Sequence, residues 1–163
     1  MFPAIQNRWV TFDCFGTLVD RDGSPAQPFG DVESLLAELR LRGYKLGVLT
    51  NLDDEQFEAA HRTFRQPFDL FVTAERIRAR KPDLWHFRAF QLLSQARKDS
   101  WVHIASDWQH DIVPAEVFGI QRVWFDRDGT GEDPSRATVH VRTAAEAVRA
   151  VDWLFQEQAA CAS

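Results

Sequence analysis

Asp13 is the residue around which a reaction could be built. It follows the apolar run Trp9-Val10-Thr11-Phe12 and heads the fragment Cys14-Phe15-Gly16-Thr17-Leu18. A carboxylate at the C-terminal end of a strand, followed at once by a Gly-Thr turn, suits a covalent nucleophile. Strand ends of parallel α/β sheets are where ligands bind, and a carboxylate can attack phosphorus or carbon directly. A loop-capping Asp beside a tight glycine turn fits the same fragment, and a short motif takes its meaning from context. That context follows in order. Thr50 closes the run Tyr44-Lys45-Leu46-Gly47-Val48-Leu49. Lys81 stands in Arg80-Lys81-Pro82-Asp83, and Asp107 directly follows Trp101-Val102-His103-Ile104-Ala105-Ser106, with Asp111 four residues on. Asp13 and Asp107, at neighbouring strand ends, would repel one another unless a cation lay between them. Mg²⁺ takes oxygen ligands and typically uses one or two carboxylates, so it suits that place.

The elements that must position these groups are legible as a pattern. Strand-like apolar runs alternate with helical periodicity, which predicts a parallel sheet with helices on both faces. Val32, Leu35, Leu36 and Leu39 share one helix face, with Asp31 as start signal and Gly43 as stop signal. Asp53 and Gln56 form a capping-box pair opening a helix toward Phe64. Phe68-Asp69-Leu70-Phe71-Val72 reads as a third strand. Pro82 starts a helix whose broad apolar face holds Leu84, Phe87, Phe90 and Leu93. Thr138-Val139-His140-Val141 is a late strand, and Thr143 with Glu146 caps a last helix lined by Val148, Val151, Leu154 and Phe155. Residues 128–136, rich in Gly, Asp and Pro, form a surface loop.

The ordered set Asp13, Thr50, Lys81, and Asp107 with Asp111 resembles the four motifs of the haloacid dehalogenase-like (HAD) hydrolase superfamily, over roughly residues 8–128. The stretch from His110-Asp111-Ile112-Val113-Pro114-Ala115 through Gly119 to Val123-Trp124-Phe125 is similar to the dehalogenase-type branch in particular. The resemblance implies a doubly wound, three-layer, Rossmann-like α/β fold in a single core domain over 1–163. It implies Asp13 as nucleophile, with Thr17 and nearby amides orienting its carboxylate. Thr50, with Asn51 beside it, would bind the transferring group, and Lys81 would balance negative charge on nucleophile and substrate. Mg²⁺ would be held by Asp13, Asp107 and the backbone carbonyl of Phe15, while Asp111 would hold a metal-bound water or Lys81. Many relatives insert a cap between the first and second motifs or between the second and third. Neither gap is long enough here, so an open, capless site is expected, with selection falling to the short segment 20–30.

Two departures pull the reading apart. Phosphatases of this superfamily carry a second Asp two residues after the nucleophile, to protonate the leaving alkoxide; this chain has Phe15. A positioned acid is worth on the order of 10²–10⁴-fold. A halide needs no proton, and dehalogenases carry an aromatic residue at this place. Those dehalogenases, however, tend to have a neutral residue where Asp107 stands, and their cap supplies an arginine that helps hold the halide. Three readings stay open: Mg²⁺-assisted hydrolysis of a small phosphoester, carbon–halogen hydrolysis of a halo-acid, and a low-activity relative that binds a ligand or partner. His110, beside Asp111, is either a substitute for the missing acid or a helix-start histidine.

Composition bounds the rest. The 163 residues carry 45% apolar side chains and a net charge of −5, enough for one full core and without a basic face for nucleic acid. The Arg76-Ile77-Arg78-Ala79-Arg80-Lys81 cluster reads as a solvated turn that could help recruit an anion. No run of about 18 apolar residues suggests a membrane span, and Met1-Phe2-Pro3-Ala4-Ile5 lacks the form of a signal peptide. Cys14 and Cys161 suggest no disulfide framework. A cytoplasmic enzyme of small substrates is the expectation. Trp85 and Trp108, which flank the lysine and aspartate motifs, read as packing; were they exposed, a homodimer covering the site would follow.

Overall fold

The computed structural model describes residues 7–23, 26–131, 134–136 and 139–161. Six strands form one sheet: β1 (Trp9–Phe12), β2 (Lys45–Thr50), β3 (Leu70–Thr73), β4 (Trp101–Ala105), β5 (Gln121–Phe125) and β6 (Val139–Val141). Their spatial order is β3-β2-β1-β4-β5-β6 and all pairs are parallel. The chain therefore winds outward from β1 in one direction, returns, and winds outward from β4 in the other. In such sheets the crevice beyond the strand C-termini at the point of reversal is the place for a ligand. Here that crevice opens between the ends of β1 and β4, the strands that deliver Asp13 and Asp107. The expected doubly wound α/β fold is the observed one.

Among the described residues, six α-helices cover the sheet: α1 (Val32–Leu41), α2 (Asp54–His61), α3 (Ala74–Ile77), α4 (Trp85–Ser94), α5 (Val113–Phe118) and α6 (Ala144–Cys161). Alternate strand residues divide the core between two layers. Val10 and Phe12 of β1 pack with residues of α1, α2 and α6, whereas Trp9 packs with Phe87 and Phe90 of α4 and Ala115 and Phe118 of α5. The second layer is rich in rings: Trp101 meets Phe90 at 4.9 Å and Phe87 at 6.0 Å between centroids. Among the described residues, no helix is long and apolar enough to cross a membrane.

The helix signals read from the sequence are largely reproduced. Asp53 and Gln56 exchange side-chain and backbone hydrogen bonds in a full capping box, and Glu146 and Thr143 do the same at α6. Asp31 precedes α1 but makes no side-chain cap; its carboxylate is taken by Arg127 instead, at 2.9 and 3.1 Å. The third strand begins at Leu70 rather than Phe68. The helix expected from Pro82 begins at Trp85, and its buried face holds His86, Phe87 and Phe90. Leu93 falls close to Phe90 around the helix but stands in the last turn of α4, which ends at Ser94, and is 63% exposed. Of the late strand, Thr138 lies outside the described residues, as do Met1 to Ile5.

One glycine is set by a close approach. A Cβ on Gly47 of β2 would stand 2.6 Å from Cε2 and 2.9 Å from Cζ of Phe90, a ring that is wholly buried. Gly47→Ala is therefore expected to lower the unfolding free energy by about 1–3 kcal/mol through overpacking. Chemical denaturation measures it, and an unchanged midpoint would show that the ring can yield.

Candidate active site

The buried centre of the site is an ammonium between two carboxylates. Lys81 Nζ donates to Asp13 Oδ1 at 2.8 Å, to Asp111 Oδ1 at 2.6 Å and to the Leu49 carbonyl at 2.9 Å. All three of its hydrogens are thereby used. The backbone is fixed as well: Lys81 N donates to Asn51 Oδ1 at 2.7 Å, and Asn51 Nδ2 donates to the Lys81 carbonyl at 3.1 Å. Asn51, expected to bind substrate, thus has its amide committed to holding the lysine. Lys81 likewise acts on Asp13 and Asp111, with no hydrogen left over for a substrate in this arrangement.

Charge in this pocket is set by burial. Burial and the nearby Asp111 carboxylate push the Asp13 carboxyl up to about 6 from 3.8, against the pull of Lys81. Asp111 is also disfavoured by burial, but Lys81 and a hydrogen bond from His103 outweigh that and hold it below the ordinary range. Burial works against the Lys81 ammonium; its two carboxylates more than offset this and hold it above the ordinary lysine range. Cys14, next to Asp13, is buried, and burial followed by the Asp13 charge drives its thiol up, which fits packing rather than chemistry.

Asp13 sits in the wall of a cavity of about 500 Å³. Phe15, Arg21, Thr50, Asn51, Arg80, Lys81, Asp107, His110 and Asp111 line it too. Thr50, Lys81, Asp107 and Asp111, which are far apart in sequence, are thus brought together as expected. Thr17 is not part of that surface. It is fully buried, its Oγ1 accepts from Ser106 N at 2.9 Å, and it lies 3.0 Å from Ser106 Oγ. Its position therefore ties the loop after β1 to the end of β4.

Asp107 opens a π-helical turn, Trp108–Ile112, and its Oδ1 accepts from His110 N at 2.9 Å. The same carboxylate lies 3.1 Å from His110 Nδ1 through each oxygen, and 3.6 Å from the Arg21 guanidinium. A π-turn of this kind often marks a functional site; here it lets one turn present Asp107 and His110 to the cavity and send Asp111 to Lys81. Arg21 was not singled out from the sequence. The loop brings it over Gly16, where φ is +81° and an added Cβ would lie 2.8 Å from Arg21 Nε. Arg80 also reaches the cavity and donates to the Asn51 carbonyl. Of the two tryptophans, Trp108 is buried against Trp124 at 4.7 Å, whereas Trp85 is 56% exposed with Arg88 over its ring.

Among the described residues, no group of three His, Cys, Asp or Glu is placed to hold a metal ion. The expected set has only two carboxylates and a main-chain carbonyl. Those three donors are hard oxygens of residues that line the cavity, and Asp111 Oδ2 is buried without a hydrogen-bond partner. Such an unsatisfied acceptor fits a water on a hard cation, so the donor set is compatible with Mg²⁺.

This arrangement defines the class of the protein. The haloacid dehalogenase-like hydrolase family matches residues 11–125, and the chain belongs to it. It is 29% identical over 128 residues to the (S)-2-haloacid dehalogenase of Pseudomonas sp. (strain YL), covering 73% of this chain and 54% of that one. The chain thus spans about half the length of that curated relative. Its fold resembles a HAD phosphatase from Thermococcus onnurineus (TM-score 0.75, 17% identity, 88% of this chain and 97% of that one). A 2-haloacid dehalogenase from Pseudomonas syringae pv. Tomato DC3000 is similar as well (TM-score 0.72, 17% identity, 90% and 99%).

The raised Asp13 carboxyl has a consequence for stability. A carboxyl with a folded value of about 6 and an ordinary value of 3.8 favours folding fully only below about pH 4, and that contribution is lost as pH rises through 6. Asp13→Asn, which keeps an acceptor for Lys81, is therefore expected to be more stable than the wild type at pH 7 by about 1–3 kcal/mol. The difference should vanish below pH 4. Urea unfolding in EDTA at both pH values checks this, and a variant less stable at pH 7 contradicts it.

Proposed function

We propose that this protein is a hydrolase that forms a covalent intermediate on Asp13, and that small phosphoesters are its substrates. The observation that carries this reading is the placement of His110 and Asp13 on one cavity. His110 offers the proton-transfer group that Phe15 denies the site. One oxygen of Asp13 is bound to Lys81, which leaves the other to attack phosphorus. As the P–O bond to the leaving group breaks, a ring N–H of His110 gives its proton to the departing alkoxide. Water then attacks the aspartyl phosphate, His110 takes up the proton, and inorganic phosphate leaves with Asp13 restored. Thr50, Arg21 and Arg80 surround the space the phosphoryl group would occupy, so charge developing there meets donors already in place.

Asp13, Asp107 and the Phe15 carbonyl would hold Mg²⁺, which supplies neutralisation of phosphoryl charge when bound. Arg21 now answers Asp107 and would have to yield to the ion. Between β1 and β2 the described residues contain one helix, α1, and between β2 and β3 one helix, α2. We read the chain as a single core domain without a cap, in which Arg21 narrows the mouth.

A second reading rests on Phe15 and on the dehalogenase relative. Attack of Asp13 on the carbon of a 2-halo-acid would expel halide without needing a proton, and the cationic side chains would hold the substrate carboxylate.

Hydrolysis of para-nitrophenyl phosphate is expected to require Mg²⁺ and to fall by at least about 10³-fold in Asp13→Asn. Turnover that survives EDTA counts against the metal-assisted route. Chloride release from 2-chloropropionate without added metal would select the second reading. His110→Ala should slow alkyl phosphates by about 10²-fold and the aryl ester, whose leaving group needs less protonation, far less. Equal losses on both would remove His110 as the acid.

A further inference from the structure

We propose that His103, backed by Thr11 and Trp101, is a positioning residue that fixes Asp111 and through it the Lys81–Asp13 pair; this rests on the reading of Asp13 as nucleophile. His103 is fully buried in β4. Its Nε2 lies 2.9 Å from Asp111 Oδ1, and its Nδ1 lies 2.8 Å from Thr11 Oγ1 on the neighbouring strand. Behind Thr11, the Trp101 indole donates to the same hydroxyl at 2.8 Å. Register explains the meeting, since Thr11 pairs with His103 in the parallel ladder between β1 and β4, with Trp101 two residues before on the same face.

The hydrogens in this chain have one consistent placement. An indole N–H can only donate, and an ionised carboxylate can only accept. Asp111 is ionised beside Lys81, so His103 Nε2 must carry a hydrogen. Burial and the Lys81 charge keep the imidazole from gaining a second proton, which leaves Nδ1 bare and ready to accept. Thr11 then turns its hydroxyl hydrogen to Nδ1 and takes the indole hydrogen on its oxygen. Every donor points toward Asp111, and each bond polarises the next. The result is a carboxylate oxygen shared between His103 and Lys81. Without the histidine hydrogen, Asp111 would draw harder on the ammonium, and Asp13 would lose its share.

Two substitutions separate this from simple packing. His103→Gln can place an amide N–H near the position of Nε2; His103→Leu removes the donor and keeps bulk. With para-nitrophenyl phosphate, His103→Leu is expected to lose roughly tenfold in kcat with KM within about twofold, while His103→Gln recovers most of it. ¹⁵N NMR of the wild type should show His103 neutral and protonated on Nε2 from pH 5 to 8. An imidazolium, a ring protonated on Nδ1, or equal kcat losses in the two variants overturns the proposal. The NMR result stands whether or not Asp13 is a nucleophile, and turnover retained in Asp13→Asn would sink that reading alone. If the wild type turns over nothing tested, or His103→Leu does not fold, the Lys81 ammonium resonance decides. It should be resolved in the wild type and in His103→Gln, and its absence from the wild type overturns the proposal.

Discussion

A buried ammonium shared by two carboxylates organises this molecule. Taking Lys81, Asp13 and Asp111 out of water is costly for each alone, and removing one partner of such a group leaves an uncompensated charge. Lys81 is tolerable there only with a carboxylate against it. The set carries one more negative than positive charge, which is why the carboxyl nearer the cavity rises to about 6 while the deeper one is held down. That asymmetry separates two chemically identical groups into a carboxyl whose charge is disfavoured and one whose charge is held. Nothing about the side chains themselves does this; depth and neighbours do.

The sheet order explains why those neighbours meet. Reversal of winding between β1 and β4 places the ends of both strands side by side, and Thr17 with Ser106 ties the two following loops together. Strand alternation then sends Val10 and Phe12 to one helical layer and Thr11 to the other, where it meets His103. The same strand thus supplies packing on one face and a hydrogen-bond chain on the other, and Asp13 directly follows its end. A shift of β1 by one residue would exchange the two faces.

Much of this was legible in the residue order. Strand-end Asp13, Thr50 and Asp107 needed only apolar runs followed by polar residues. The capping pairs Asp53 with Gln56 and Thr143 with Glu146 announced their helices through spacing alone. What escaped reading depended on three-dimensional direction. Thr17 and Asn51 have the right types and stand beside motif residues, yet their side chains turn to Ser106 and to the Lys81 backbone. Arg21 lies in a stretch with no periodicity, so nothing in its neighbours pointed to the cavity. His103 did leave a signal, a titratable residue inside the otherwise apolar run Trp101-Val102-His103-Ile104-Ala105. Its partner, a threonine on another strand, becomes visible only once the parallel register is known.

The residue after Asp13 has a different kind of consequence. Cys14 is sealed in the core and its thiol is driven well away from the reactive thiolate, whereas Cys161 on α6 is exposed. While the chain is folded, one sulfur is open to alkylating reagents and the other is silent. Modification of Cys14 would therefore act as a clock for openings of the loop after β1, reporting motions around Asp13 without any substrate being present.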